Sequence, residues 1–131
     1  MGYTHYYEVK CESEDKFAEM YLESSLIVDE ANKEGKVCSI VVDHKRKLFV
    51  IEGVGEDTCE PFVWSQKEAK SFCKTARLPY DAAVAACLIV AYEIYGEQVS
   101  IGSDGEWDDW DLGKQLYEST FGRSPTCPFD E

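Results

Sequence analysis

The chain has 131 residues, of which 26 are acidic and 13 basic, giving a formal net charge of −13. This length fits one domain with its own core, and 44% hydrophobic residues are typical of a globular protein. The charge argues against direct binding to nucleic acid or anionic membranes, because phosphate binding requires clustered Lys and Arg. It would suit docking on a basic protein surface, although a merely soluble acidic protein carries the same charge.

The opening MGYTHYYEVKCE has no basic segment followed by an apolar run, so we expect no secretory signal and a cytoplasmic location. The longest apolar run, 82–92, is too short to span a bilayer and predicts a core helix. The six cysteines never fall at Cys-x-x-Cys spacing, and neither His5 nor His44 lies near one. We therefore predict reduced thiols, no metal site and no cofactor. A nucleophilic triad has little support, since the chain lacks a Gly-x-Ser-x-Gly elbow.

The first half of the chain predicts a strand, an amphipathic helix, a hairpin and a short further strand. In chain order these elements are expected at 2–10, 13–35, 37–42, 47–52 and 62–64. Tyr3, His5 and Tyr7 would share one face of the first strand. Ser13 is the expected N-cap of the helix, and Gly35 is its expected end.

The second half predicts two helices separated by a strand. These elements are expected at 82–95, 98–101 and roughly 106–121, with an irregular tail at 123–131. Pro79 suits the first position of the central helix, and Asp81 would lie in its first turn, where the helix dipole favours an acid. The order β-α-β-β-(β)-α-β-α predicts a single compact α+β domain over 1–131. We expect a small, mainly antiparallel sheet, three helices and one central apolar helix.

Two loops that lead into helices carry the polar residues of an anion site. Lys74–Arg77 precedes the central helix, and Ser103–Gly105 precedes the last one. A helix N-terminus presents unpaired N–H groups and a partial positive charge, which phosphates and carboxylates bind. If the strands before the loops are parallel neighbours, both loops emerge at one sheet edge, where open α/β sheets bind ligands.

The predicted ligand pocket is therefore described by nine residues. Six line it directly, namely Lys74, Thr75, Arg77, Ser103, Asp104 and Gly105. Asp81 would orient Arg77, while Tyr3 and His5 on the first strand would form an aromatic wall for a base.

Each part of this pocket also has an interpretation without a ligand. Arg77 beside Asp81 and Asp104 would be an internal ion pair that fixes two helix starts, and Ser103 would be a helix cap. The acidic run 104–109 has oxygen ligands for a divalent cation, but acids in a first helical turn are favoured by the dipole anyway. The run lacks the full calcium-loop pattern, so we predict no metal there.

Three blocks of the sequence are distinctive as a set, namely MGYTHYY at 1–7, FCKTARLPYDAAVAACLIVA at 72–91 and SIGSDGEWDDW at 100–110. As a set they resemble a family of small proteins met mainly in bacteriophage and prophage genomes. The shared positions are Gly2, Tyr3, Thr4, His5, Tyr6, Lys74, Thr75, Pro79, Tyr80, Asp81, Ser103, Asp104 and Gly105. The family usually has Trp where this chain has Tyr7. The resemblance implies a viral context and no mechanism.

Three functions follow as hypotheses. The first is a non-enzymatic, phage-type accessory protein that acts by binding, against a host defence, with its acidic surface docked on a host nucleic-acid-binding protein. The second is a protein that sequesters a small anion or nucleotide with the two loops. The third is an enzyme acting on such an anion, for which only His5, Asp81 and Asp104 are available as chemical groups.

Overall fold

The computed structural model describes residues 3–36 and 38–129, so Gly2, Val37 and 130–131 lie outside the described part. The elements are β1 (Thr4–Val9), α1 (Glu14–Lys33), β2 (Cys38–Asp43), β3 (Leu48–Gly53), β4 (Phe62–Ser65), β5 (Ala69–Lys74), α2 (Asp81–Tyr95), β6 (Val99–Ser103) and α3 (Asp111–Phe121). Short 3-10 helices, Gly96–Gln98 and Trp107–Trp110, precede β6 and α3. The predicted α+β class with three helices is confirmed.

The strands divide between two three-stranded antiparallel sheets, ordered β5-β1-β6 and β2-β3-β4. The hairpin of β2 and β3 and the short strand β4 form the second sheet, as the β-branched segments predicted. In the first sheet β5 is a strand that the polar segment 65–71 did not predict. Pairing with β1 holds it there, because six residue pairs join the two strands from Thr4 with Lys74 to Val9 with Ala69.

β1 is the middle strand of the first sheet and is antiparallel to both of its neighbours. β5 and β6 are therefore parallel to each other, but they are separated by β1, so the expectation of parallel neighbours is wrong. The loops after them still meet at one edge, because Thr4 pairs with Lys74 and His5 pairs with Ser103. The buried face of β1 carries Tyr7 and His5, as the alternation predicted.

The central helix α2 lies in the middle of the core, and eleven of its fifteen residues are buried. It packs between α1 and α3, and both sheets contribute to the same contiguous core. The helix begins at Asp81, so Pro79 precedes it by two residues and does not occupy its first position. Asp81 does lie in the first turn, and Ser13 caps α1 by accepting from the N–H of Lys16.

None of the helices in 3–36 and 38–129 is long and apolar enough to cross a bilayer. All six cysteines are free, and burial raises the pKa of Cys73 to about 12. Residues 123–129 form neither helix nor strand, as expected for the tail.

Gly113 allows α3 to approach α2 closely. A Cβ added at this position would lie 2.6 Å from the Cβ of Ala85, well inside van der Waals contact. This contact could not be predicted from the sequence, because a glycine inside a helix indicates only a low helix propensity.

We expect Gly113→Ala to destabilise the protein by about 1–3 kcal/mol, because overpacking outweighs the better helix propensity of Ala. Urea denaturation measures this change. Ser119→Ala, at an exposed position of the same helix, is the control and should stay within about 0.5 kcal/mol of wild type. A Gly113→Ala protein more stable than wild type would mean that α2 and α3 lie farther apart.

Candidate functional site

A buried chain of hydrogen bonds joins the two predicted loops through β1. Nδ1 of His5 lies 2.9 Å from Oγ of Ser103, and Nε2 lies 2.7 Å from Oδ1 of Asp81. The same Asp81 oxygen accepts from the hydroxyl of Thr75 at 2.5 Å. Neither His5 nor Thr75 has any exposed surface. We call these four residues the His5 network.

The Ser103 oxygen at one end of the network is saturated. It accepts from the backbone N–H of Gly105 at 3.0 Å and from Nε1–H of Trp110 at 3.2 Å. Since a hydroxyl oxygen has two acceptor positions, its own proton must go to Nδ1 of His5. His5 therefore carries its proton on Nε2 and donates it to Asp81.

Ser103, His5 and Asp81 are thus hydrogen-bonded in the order of a catalytic triad, which the sequence analysis did not predict. A nucleophilic serine needs a free lone pair directed at a substrate. Both lone pairs of Ser103 are occupied by Gly105 and Trp110, and the imidazole of His5 is fully enclosed. The arrangement is that of a structural junction, which fixes the end of β6 and the start of α2 against β1.

Tyr3 packs against this junction. Its ring contacts the His5 ring edge to face, at a centroid distance of 5.1 Å. Its hydroxyl is buried and forms no hydrogen bond of good geometry among the described residues. Burial, followed by the Asp81 carboxylate, raises the pKa of Tyr3. A Cβ at Gly105 would collide with the Tyr3 hydroxyl, so this position requires glycine.

Arg77 follows Thr75 of the His5 network in a strained turn. Ala76 and Arg77 have φ angles of 54° and 59°, in the left-handed region that costs a residue with a side chain about 1–2 kcal/mol. The turn is closed by the N–H of Leu78, which donates to the carbonyl of Thr75 at 3.1 Å. The carbonyl of Tyr3 accepts from the N–H of Thr75 at 3.0 Å, which ties the turn to β1.

The guanidinium of Arg77 lies 4.1 Å from the centroid of the Tyr3 ring and 4.0 Å from the Asp109 carboxylate. Asp81 was predicted to orient it, and the ion-pair interpretation named Asp81 and Asp104. Neither pair is observed among the described residues, because Asp81 is held by His5 and by Thr75 instead. Asp109 is the residue that the sequence analysis missed.

Five of the nine predicted site residues lie outside the His5 network, namely Tyr3, Lys74, Arg77, Asp104 and Gly105. Asp104 accepts from the N–H of Thr4 and from the hydroxyl of Tyr6, both at 3.1 Å, and so anchors the start of β1. Lys74 is exposed, and strand alternation places it on the opposite face of the sheet from His5. It therefore does not line a pocket with the residues of the network.

Three of the four acids in 104–109 accept hydrogen bonds from backbone N–H groups, namely Asp104, Glu106 and Asp109. Asp109 accepts from the N–H of Glu106 at 2.7 Å, which forms a capping box at the 3-10 helix, and Asp104 binds β1. Residues 3–36 and 38–129 contain no group of three or more His, Cys, Asp or Glu side chains arranged to hold a metal ion.

A cavity of about 560 Å³ opens in front of Tyr3 at the start of α2. Its polar lining consists of Tyr3, Lys36, Arg77, Asp81 and Asp109. Two bases thus face two acids. Lys36 follows α1 and is distant in sequence from both loops, so no local pattern could have assigned it to this site.

The chain matches no family model, no curated protein and no solved structure. The resemblance to a phage family therefore stays a prediction.

We expect Ser103→Ala to cost about 1–3 kcal/mol or more in the free energy of unfolding, because it leaves buried donors of Trp110 and Gly105 unpaired. Tyr3→Phe is the matched control, since it removes a buried hydroxyl that has no partner, and should retain or increase stability. Urea denaturation of both variants measures the difference. Equal losses in the two variants would contradict the assignment of the Ser103 hydrogen bonds.

Proposed function

We propose that this chain is a non-enzymatic accessory protein of phage type, which acts in the host cytoplasm by docking on a basic, nucleic-acid-binding surface of a host protein. Interference with a host defence is the role that such binding would serve. The net charge of −13 supports docking on a basic surface. The polar groups of the His5 network bind one another, which supports a role without catalysis. The observation that carries it is an exposed stripe on α1.

The α1 stripe consists of Asp15, Glu19, Leu22, Leu26 and Asp29, all exposed. Their spacing of four and three residues in alternation places them on one helical face. Leu22 is 62% exposed and Leu26 is 46% exposed. Two neighbouring leucines therefore face solvent between acids at both ends.

Such a stripe is complementary to an apolar patch with a basic rim. Burial of a leucine contributes about 1.5–3 kcal/mol to binding before the costs of association, so Leu22 and Leu26 would supply affinity. The acids would steer the approach of a basic partner and exclude acidic ones. Basic stripes with apolar contacts are the usual surface of nucleic-acid-binding proteins.

The experiment captures partners from host lysate with the tagged full chain and then measures affinity for the purified partner. We expect Leu22→Ser with Leu26→Ser to weaken the complex by about tenfold or more, and Glu19→Gln with Asp29→Asn to slow association and reduce its salt dependence. Leu112→Ser is the control, since this leucine is 59% exposed on α3. A complex that is insensitive to the stripe variants, or the absence of any complex, would overturn the proposal.

A small anion is the second candidate ligand, and one observation favours it. The strained turn holds Arg77, whose side chain is 60% exposed, at the cavity in front of Tyr3, together with Lys36. Backbone strain of this kind is often retained at binding sites. The donors that the sequence assigned to Thr75 and Ser103 are used within the network, so the anion would bind Arg77 and Lys36. It would compete there with Asp109, 4.0 Å from Arg77, and with Glu34, 3.2 Å from Lys36.

Thermal stabilisation by inorganic pyrophosphate tests this second function. We expect wild type to be stabilised and Arg77→Gln to lose the effect while keeping the melting temperature of the free protein. Arg46→Gln, at an exposed arginine of the β2–β3 turn, is the control and should respond like wild type. No shift in wild type with pyrophosphate would exclude the anion site.

A further inference from the structure

The outer face of the first sheet carries a row of three paired positions, two of them aromatic. Tyr6 in β1 is paired with Phe72 in β5 on one side and with Gly102 in β6 on the other. Directly paired residues of neighbouring strands share one face, so Tyr6 and Phe72 are neighbours on it. Phe72 is 57% exposed and Tyr6 is 46% exposed.

Gly102 leaves the third position of this row open. No atom lies within 4 Å of the place that its Cβ would occupy. The adjoining cavity measures about 520 Å³, and its lining includes Tyr6, Lys70, Phe72, Ile101 and Gly102. The row therefore offers aromatic edges and faces beside a vacant strip of backbone.

This face carries two exposed lysines in an acidic protein. Lys70 and Lys74 lie two residues on either side of Phe72, and both are exposed on the same face. Neither forms an ion pair within 4.0 Å among the described residues. Three acids lie near these lysines. Glu8 is opposite Lys70 in the strand register, Asp104 accepts from the Tyr6 hydroxyl, and Glu60 accepts from the backbone N–H of Lys74 at 2.8 Å.

We propose that this sheet face binds a nucleotide. The base stacks on Phe72 and Tyr6 beside Gly102, and the phosphate is bound by Lys70 or Lys74. Aromatic side chains on an open sheet are the usual platform for stacked bases, and flanking cations bind the phosphate. Aliphatic anions would leave the rings unused, and a neutral apolar ligand would leave the two lysines unused.

The occupant is a free nucleotide of one or two bases rather than a nucleic-acid strand. The row is one aromatic pair wide, so it has no second platform among the described residues for a longer strand to follow. A polyanion would also meet the net charge of −13, whereas a single nucleotide interacts mainly with charges within a Debye length of about 8–10 Å. The proposal depends on neither the α1 stripe nor the Arg77 cavity.

Calorimetric titration of the full chain compares the affinities for AMP and ATP with those for adenosine, inorganic pyrophosphate and an oligo(dA) of ten nucleotides. We expect AMP or ATP to bind with a dissociation constant below about 1 mM, and more tightly than adenosine or pyrophosphate, because only the nucleotides use both rings and lysines. No nucleotide binding at this concentration overturns the proposal. Pyrophosphate binding as tightly as ATP removes the role of the rings. Tighter binding of oligo(dA) than of ATP overturns the choice of a free nucleotide.

Substitutions on the outer face locate the site without touching the core. We expect Gly102→Val, which fills the vacant strip, and Phe72→Ala, which removes a ring, each to weaken nucleotide binding by about tenfold or more. Ser39→Val, at an exposed strand position of the second sheet, is the control and should bind like wild type. Retained binding in both outer-face variants would overturn the site.

A second set of variants distinguishes nucleotide binding at the two lysines from binding in the cavity in front of Tyr3. We expect Lys70→Gln with Lys74→Gln to reduce affinity for ATP by roughly three- to tenfold and to leave adenosine unaffected. Lys45→Gln, at an exposed lysine of the β2–β3 turn, is the control and should bind ATP like wild type. Loss of ATP binding in Arg77→Gln alone would assign the nucleotide to the cavity in front of Tyr3 and overturn this proposal.

Discussion

The burial of the His5 imidazole is the constraint on which the arrangement of the site depends. An imidazole without exposed surface needs a partner for each ring nitrogen, because an unpaired buried polar group costs several kcal/mol, about 2–7 by transfer scales. Ser103 and Asp81 supply these partners from the end of β6 and the start of α2. One side chain of β1 thus fixes both loops. The constraint extends outward, since saturation of Ser103 also fixes the Trp110 indole and the Gly105 backbone.

The alternation of β1 separates an inner, structural face from an outer, accessible one. His5 is enclosed and has both nitrogens bound, whereas Tyr6, the next residue, is 46% exposed on the other face. Four of the polar residues that the sequence suggests for binding or catalysis are therefore bonded to one another and stabilise the fold. The side chains left for recognition are those that the network does not need, such as Arg77 beside the cavity and Phe72 on the outer sheet.

Local patterns predicted most elements of this fold, but not the long-range pairings. The apolar α2, the Ser13 cap and the buried face of β1 follow from periodicity and capping, which act within a few residues. The position of β1 between β5 and β6 joins residues 60 (Val9 with Ala69) to 98 (His5 with Ser103) positions apart, for which periodicity carries no information. The predicted Arg77–Asp81 pair failed for the same reason, because His5 competes for Asp81 from a distant part of the chain. Residues such as Lys36 and Asp109 reach the cavity only through tertiary packing.

The strong acidity of the chain acts differently on the two surfaces proposed for recognition. On the α1 stripe the acids and the leucines belong to one helix face, so charge and apolar area favour the same partner. On the outer sheet Lys70 and Lys74 flank Phe72, so two cations lie within reach of a ligand on the rings. Charges separated by more than about 8–10 Å are largely screened at physiological ionic strength, so the nearby lysines govern a small ligand there. A large polyanion would meet the whole acidic surface. Net charge therefore restricts the size of an anionic ligand on this face more strongly than it restricts its chemistry.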